Sequence, residues 1–185
     1  TAPTATVNLN GGGNAAFDNT IATQVSNAFL EANAISSALS SLTPNGTVDG
    51  GGNMNASPVI MNGQRVAVYN INAASFSSLG QLNLNFGSAD AVVINVASVA
   101  GLVNFQAPPN MIGGFSQGNA SRIIWNLPDA TTVKVNNTFN GALIATGADL
   151  QVLGGGMNGS VVVNSISAQN AEIRRFNYNL SLIHI

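Results

Sequence analysis

The feature that most constrains the fold of this chain is an internal repeat in its last third. The segment Asn-Gly-Ala-Leu-Ile-Ala at 140–145 returns, at a step of 18, as Asn-Gly-Ser-Val-Val-Val at 158–163. Short apolar-x-apolar segments at 133–135, 150–152 and 166–168 return at steps of 17 and 16. A repeat of this length, with two or three short strands per unit, is typical of one rung of a β-solenoid. The sequence therefore predicts a stack of short strands.

Other segments favour the same architecture. Residues 4–9, 65–72 and 81–86 alternate apolar and polar side chains, whereas 91–96 and 121–127 are almost continuously apolar, as strands covered on both faces are. Glycine triplets stand at 11–13, 50–52 and 154–156. Glycine supplies the positive φ that tight corners between strands require, so these triplets are expected at corners of the stack.

One segment has the period of an α-helix instead. Its apolar side chains recur at steps of three and four, as on one face of a helix. These positions are Phe17, Ile21, Val25, Ala28, Ala32, Ile35, Leu39 and Leu42. Asn14 or Asp18 is placed to cap its start, and the Thr-Pro-Asn-Gly turn at 43–46 ends it, because proline cannot continue a helix. The opposite face is expected to be solvated; it carries Asn19, Thr23, Ser26, Asn33 and Ser37.

Together these patterns predict a mainly β fold: a β-solenoid (β-helix) with one long amphipathic α-helix packed alongside. We expect a single domain over 1–185, with the helix at about 15–42 and the solenoid rungs at about 4–13 and 47–179.

Charge is scarce, which excludes several classes of function. The chain has five Lys and Arg and seven Asp and Glu among 185 residues, where an ordinary domain has about 25% charged residues. Asn, Ser and Thr, with 27, 17 and 11 copies, take their place. So few basic residues cannot neutralise a run of phosphates, so neither nucleic acid nor an anionic lipid surface is an expected partner. No apolar run reaches the roughly 18 residues of a transmembrane segment.

The chain also lacks the usual residues of catalysis and metal binding. It has no Cys, and its one histidine is His184, so thiolate or multi-histidine sites and histidine-based triads are not expected, and we predict no cofactor and no metal. No two acids stand at a motif spacing; they are Asp18, Glu31, Asp49, Asp90, Asp129, Asp149 and Glu172. We therefore do not predict an enzyme.

In a solenoid, the outward positions of successive strands form a flat face. Around the repeated segments, those positions form the candidate binding face, and they are Thr132, Lys134, Asn136, Asp149, Gln151 and Ser167. Lys134 lies between two valines and is expected to point outward, which disfavours an internal Lys–Asn cross-link.

Three further features have structural interpretations. The segment 49–55, Asp-Gly-Gly-Gly-Asn-Met-Asn, loosely resembles a calcium loop but has one acid, so a turn is the better interpretation. Trp125 lies in an apolar run and is expected in the core. Arg174 and Arg175 are expected at the solvated end of the last rung.

The block Ile-Ile-Trp-Asn-Leu-Pro-Asp-Ala-Thr at 123–131 is followed by the repeated segments at 141–150 and 158–163 and by short blocks at 172–173 and 176–178. In this arrangement, the repeat and its flanks resemble the bacterial choice-of-anchor A family of surface-exposed adhesive domains. Upstream, 17–48 resembles the family's helix and its trailing Leu-x-Pro-x-Gly-Thr segment, here at 42–47, and 68–71 and 92–96 fit the strands between.

The resemblance implies an extracellular, attachment-related role and transfers no catalytic residue. The chain departs from the family in two ways. Before the helix, only 4–13 corresponds to the family's further rungs, and only seven residues follow Tyr178, so the C-terminal anchor is expected to be absent or removed.

Three functions follow, in order of preference. The first is a non-catalytic, secreted or cell-surface bacterial domain for adhesion or self-assembly through flat uncharged faces. Its partners would be a glycan or surface ligand, or other copies of the chain stacked end to end. The second is an ice-binding β-solenoid, although the sequence has no regular Thr-x-Thr rows. The third is a polysaccharide-active enzyme whose scattered acids converge in space.

Overall fold

The computed structural model describes residues 20–105, 109–169 and 171–176. Within these ranges it contains one α-helix, α1 Ile21–Ser40, and two short 3₁₀ turns at Ala73–Ser77 and Gln117–Arg122. The strands are β1 Gly46–Val48, β2 Asn53–Ala56, β3 Val59–Met61, β4 Gln64–Asn72, β5 Gln81–Leu84, β6 Ala91–Ala97, β7 Leu102–Phe105, β8 Asn110–Gly113, β9 Ile123–Asn126, β10 Thr132–Val135, β11 Phe139–Asn140, β12 Ala142–Val152, β13 Met157–Asn158, β14 Val161–Ala168 and β15 Ile173–Arg174. The expectation of a mainly β chain with one helix is confirmed.

Most of these strands pair in parallel, in sheets of eight, four and three strands. In the eight-stranded sheet, β12 is long enough to belong to two ladders. Its first half, with β4, β6, β9 and the start of β14, forms what we call the first ladder. Its second half, with β7, β10 and the end of β14, forms the second ladder. Strands β2, β5 and β8, and separately β11, β13 and β15, form shorter parallel ladders.

The repeat in the sequence is a repeat in strand pairing. Along the chain β9, β10 and β11 are followed by the two halves of β12 and by β13, and each pairs in parallel with its predecessor. The halves of β14 and then β15 repeat the order once more. Leu143 stands opposite Val161, and Val133 stands opposite Leu150. The steps of the sequence repeat are thus the spacing between strand neighbours.

At its other end, the first ladder is bordered by an antiparallel strand instead of a parallel one. β3 pairs antiparallel with β4 through a two-residue turn in which Asn62 and Gly63 have φ of 50° and 81°. Positive φ at both positions matches the twist of a tight hairpin, and Asn-Gly is the preferred sequence there. β1 likewise pairs antiparallel with β2. The parallel stack therefore ends in antiparallel strands on this side.

The core lies between the ladders and is dominated by aromatic rings. Trp125 is fully buried, as expected, and its ring stacks on Phe115 with centroids 5.3 Å apart. Phe105 and Phe139 pack against the same indole at 5.3 and 5.2 Å. The indole nitrogen donates to the carbonyl oxygen of Asn140 at 3.1 Å, so this large side chain is buried with its polar atom satisfied.

The helix packs across the outside of the first ladder. Leu39 is buried against the outward side chains of β4, β6 and β9, such as Val68, Val93 and Ile124. These strands therefore have the core on one face and the helix on the other, which explains their continuous apolar runs. The helix ends at Ser40, just before the predicted Thr-Pro-Asn-Gly stop.

The first half of the helix departs from expectation. Ile21, Val25 and Leu30 are 54%, 51% and 66% exposed, although the periodicity predicts that Ile21 and Val25 lie on the buried face. The helix contacts β6, β9 and β12, and the sheet beneath it is described only as far as β14. The helical residues before Ala28 extend beyond the described strands of this sheet. The apolar face of the helix is therefore buried only in its C-terminal half.

Several sequence-based expectations lie outside the described residues. They are the strand at 4–9, the glycine triplet at 11–13, the caps Asn14 and Asp18, the start of the helix before Thr20 and the segment beyond Phe176. At the described boundaries, residues 121 and 122 belong to a 3₁₀ turn rather than to strand β9. Arg122 in that turn donates to the carbonyl oxygen of Asp90 at 2.9 Å, which holds it off the strand. Among the described helices, none is long and apolar enough to cross a bilayer.

Candidate functional site

The candidate binding face lies on the second ladder. Along β10, Val133 and Val135 are fully buried, while Thr132 and Lys134, which alternate with them, are partly exposed. β12 repeats the pattern, with Leu150 and Val152 inward. Successive side chains of a strand point to opposite faces, so the valines and leucine fix the outward direction of their neighbours.

Parallel register aligns the outward residues into two columns across the strands. The first runs through Thr132, Asp149 and Ser165, and the second through Lys134, Gln151 and Ser167. Neighbouring strands in a sheet are about 4.8 Å apart, so each column presents polar groups at that interval. Of the six residues predicted for the face, five stand in these columns. Asn136, the sixth, is exposed just beyond the end of β10.

The structure adds residues to the face that sequence reasoning missed. On β7, Leu102 stands opposite Thr132 and Asn104 stands opposite Lys134, so each column begins one strand earlier. Ser165 completes the first column on β14. The signal was present in the sequence, because the apolar-x-apolar spacing of β10 already occurs at 103–105.

The face holds one anion whose charge is stabilised locally. Asp149 accepts hydrogen bonds from the Ser165 hydroxyl at 2.6 Å and from Nδ2 of Asn164 at 3.0 Å. These bonds lower the pKa of the Asp149 carboxyl, so it is charged at neutral pH. Lys134 is the cation of the same face. The other residues of the two columns are uncharged and polar, except Leu102, which is apolar.

Asp49 and Arg174, which the sequence analysis also named, form hydrogen bonds or ion pairs with neighbouring residues of the chain. Asp49 holds a turn, accepting from the backbone N–H groups of Gly51 and Asn53 at 2.9 and 2.8 Å. Arg174 forms an exposed ion pair with Glu172 at 2.6 Å. These findings agree with the expected turn and the expected solvated end.

The described acids have separate local partners. Asp90 pairs with Arg65 at 2.9 Å, and Asp129 accepts from the backbone and hydroxyl of Ser98 at 3.0 Å each. Within 20–105, 109–169 and 171–176, no three acidic or histidine side chains lie close enough to hold a metal ion. The chemistry that the face offers is an array of hydrogen-bonding groups on a rigid sheet.

Comparison with known families gives this geometry a context. Residues 1–175 match the family described as "Putative Ice-binding-like adhesive domain". The chain belongs to this family. Searches of curated proteins and of solved structures find no match.

Membership of the ice-binding-like adhesive family sharpens the sequence-based resemblance. It agrees with the adhesive character of the expected relatives. An adhesive domain implies a bound ligand, a surface or extracellular location and a non-catalytic role.

Proposed function

We propose that this chain is a non-catalytic, extracellular bacterial surface or matrix domain, and that it adheres or self-assembles through the outward face of the second ladder. The observation that carries the proposal is the alignment of Lys134, Gln151 and Ser167, beside Thr132 and Asp149, on strands held in parallel register. The strand register fixes the spacing of these side chains, so binding does not require the backbone to be reordered.

The proposal includes a β-solenoid architecture for the whole domain, 1–185. The order in which the chain visits the ladders supports it: β9, β10, β11, then the halves of β12 and β13, then the halves of β14 and β15. Each passage adds one strand to each ladder, as one coil of a solenoid does. The resemblance to choice-of-anchor A domains is kept here as the finer family assignment.

The composition of the face suits a neutral, hydroxyl-rich ligand such as a surface glycan. Amide and hydroxyl groups both donate and accept hydrogen bonds, so a column of them can follow a chain of sugar hydroxyls. Loss of solvent from uncharged groups costs less than loss of solvent from ions. The single Lys134 and Asp149 would fix the orientation of the ligand rather than select for charge.

Particle retention tests this function. Latex beads carrying the domain are incubated with chitin, cellulose and peptidoglycan particles, and bound beads are counted after washing. We expect retention on at least one surface, and we expect a Lys134→Ala, Gln151→Ala double variant to lower it by about tenfold, as two lost polar contacts would. Ser37→Ala, at an exposed position on the helix, is the matched control and should retain beads normally.

Self-assembly is the second branch of the same proposal. The end of the stack at β14 exposes Ile166, 51% accessible, on a strand with no described neighbour beyond it. Unpaired strand edges favour association with another chain. Sedimentation velocity over a concentration series should therefore show association. A chain that stays monomeric and binds none of the three particle types contradicts the proposal.

Ice binding is the alternative, favoured by the family description and by the flat parallel face. Against it, Lys134 and Asp149 interrupt the columns, and Thr131, Thr132 and Thr138 do not form a ladder. Thermal hysteresis with shaped ice crystals would establish this alternative, and its loss in the Lys134→Ala, Gln151→Ala variant would assign it to the same face. The third function, a polysaccharide-active enzyme, requires turnover on a polysaccharide panel that disappears when one of the acids is replaced.

A further inference from the structure

We propose that the chain has a second binding site, a polar cleft over the outward face of β2 and β5 that takes a neutral saccharide. The cleft has a volume of ≈ 430 Å³, and its lining is formed by Asp49, Asn53, Asn55, Asn83, Leu84 and Asn85. These strands are separate from the second ladder. The site therefore goes beyond the proposed function, and it can fail or succeed independently.

Strand alternation places the amides on one side. Met54 on β2 and Leu84 on β5 are buried in the core, so the asparagines flanking them point outward. Asn53 stands opposite Asn83 in parallel register. Nδ2 of Asn83 donates to Oδ1 of Asn53 at 3.2 Å, and Nδ2 of Asn85 donates to Oδ1 of Asn55 at 3.2 Å. Two rigid amide pairs thus lie side by side across the strands.

The turn before β2 adds one carboxylate. Oδ1 of Asp49 accepts from the backbone N–H groups of Gly51 and Asn53, whereas Oδ2 accepts from Nδ2 of Asn53 at 3.0 Å. Hydrogen bonds from Asn53 lower the pKa of Asp49, which keeps the carboxylate charged at neutral pH. Because Asp49 is exposed, Oδ2 has lone pairs left for a ligand.

The polar atoms of the cleft that can still form hydrogen bonds determine which kind of ligand it binds. The amide oxygens of Asn53 and Asn55 each accept one hydrogen bond from a neighbouring amide, and the cleft has one carboxylate, fewer than calcium loops use. Among the groups that the cleft offers to a ligand are the exposed Nδ2 donor of Asn55, the second N–H of each donating amide, and the Oδ2 acceptor of Asp49. A donor set beside an acceptor matches adjacent sugar hydroxyls, each of which both donates and accepts.

An exposed apolar side chain and a glycine lie beside the cleft, next to Asn83. Ile112 on β8 stands opposite Asn83 in parallel register and is 41% exposed, so a sugar ring that extends past Asn83 can contact it through a C–H face. Next to it, Gly113 has a φ of 66°, and a Cβ at this position would collide with Oδ1 of Asn83. Glycine therefore keeps this side of the cleft clear.

Amide chemical shifts of the ¹⁵N-labelled chain test the site. The probes are cellohexaose, chitohexaose, maltohexaose and mannohexaose, each titrated to about 10 mM, the range of weak single-site binding. We expect at least one to give saturable shifts centred on residues 49–55 and 83–85. Asn55→Ala should weaken that binding by about fivefold or more, and the control Gln151→Ala on the second ladder should not change it. Absence of saturable shifts with all four probes overturns the proposal.

A second set of titrations distinguishes a saccharide from a metal cation as the ligand of the cleft. The titration is repeated with EDTA and with CaCl₂, and for Asp49→Asn, which keeps the shape of the side chain and removes its charge. We expect binding in EDTA to equal binding in CaCl₂, and Asp49→Asn to bind more weakly by about fivefold, because a charge-assisted hydrogen bond is lost. Binding that requires CaCl₂, or that is unaffected by both Asp49→Asn and Asn55→Ala, overturns the assignment.

Discussion

Ser36 on the helix and Asn126 on strand β9 form a reciprocal pair of hydrogen bonds. The Ser36 hydroxyl donates to Oδ1 of Asn126 at 2.7 Å, and Nδ2 of Asn126 donates to the carbonyl oxygen of Ser36 at 3.0 Å. Both residues are buried, and 90 positions of sequence separate them. This contact fixes the helix on the sheet at one specific position, which apolar packing alone does not do.

The pair belongs to a row of three asparagines, of which Asn95 and Asn126 are buried beneath the helix and Asn70 is exposed. Asn70, Asn95 and Asn126 stand in register on β4, β6 and β9. Nδ2 of Asn95 donates to Oδ1 of Asn70 at 3.1 Å and to the carbonyl oxygen of Leu39 at 2.9 Å. Nδ2 of Asn126 donates to Oδ1 of Asn95 at 2.8 Å. A satisfied buried network of this kind specifies a unique packing arrangement.

Ser36→Ala should destabilise the chain, because it leaves Oδ1 of Asn126 buried without its donor. A loss of about 1–3 kcal/mol is expected for an orphaned buried acceptor. Urea unfolding followed by Trp125 fluorescence measures it, since Trp125 is the only tryptophan and is fully buried. Ser37→Ala, at an exposed neighbouring position, is the control and should stay within about 0.5 kcal/mol. Equal stabilities of the two variants would contradict the role of the pair.

Gly159→Ala should disrupt the stacking of the repeats. A Cβ at Gly159 would collide with the backbone carbonyl of Gly141, the glycine of the preceding Asn-Gly unit. Backbone cannot move aside as a flexible side chain can, so we expect a loss of about 3 kcal/mol or more, or failure to fold. Gly50→Ala, where nothing lies within 4 Å of the added carbon, is the control. Thermal melting by circular dichroism compares them, and equal melting temperatures would argue against close packing at this corner.

Asp90→Asn should lower stability at neutral pH but not at strongly acid pH. Hydrogen bonds from Arg65 lower the pKa of Asp90 from 3.8 to about 2, so the carboxylate is favoured in the folded state. Its stabilising contribution is present above pH 3.8 and is lost as pH falls through about 2. Melting temperatures of both proteins across this range should converge on acidification. A difference that is the same at every pH would mean that the ion pair is not its source.

Tyr69→Phe should be neutral or stabilising, although it removes a polar group. The Tyr69 hydroxyl is buried and has no hydrogen-bond partner among the described residues, so its loss removes a cost of burial. Burial also raises the pKa of Tyr69 from 10 to about 12. The stability of the unsubstituted protein should therefore fall as pH rises from 10 towards 12, and that part of the fall should be absent in Tyr69→Phe. A clear loss of stability in Tyr69→Phe at neutral pH would show that the hydroxyl has a partner.

Local sequence patterns were sufficient for much of the fold. The repeat steps predicted the spacing between β10, β12 and β14, because identical apolar spacing lets successive strands stack with the same side chains inward. The same alternation placed Lys134 and Gln151 outward. The helix and its end before Pro44 followed from period and from the missing N–H of proline.

Contacts between distant segments were beyond these patterns. Asn126 lies in an apolar strand and Ser36 in an apolar helix face, and nothing in either neighbourhood indicates that they meet. The amide pairs Asn53–Asn83 and Asn55–Asn85 join segments without a visible repeat between them. Exposure of Ile21 and Val25 depends on where the sheet beneath the helix ends, which is equally non-local.

The sequence by itself determined which side chains share one face of a strand or helix, since periodicity is a property of neighbours along one element. Only the tertiary structure decided which polar groups become partners across elements, and therefore where the chain has a rigid column of hydrogen-bonding groups, where it has a cleft and where its helix is fixed. Hydrogen bonds require donor and acceptor within about 3 Å, a condition that strand alternation does not encode and that three-dimensional register alone supplies.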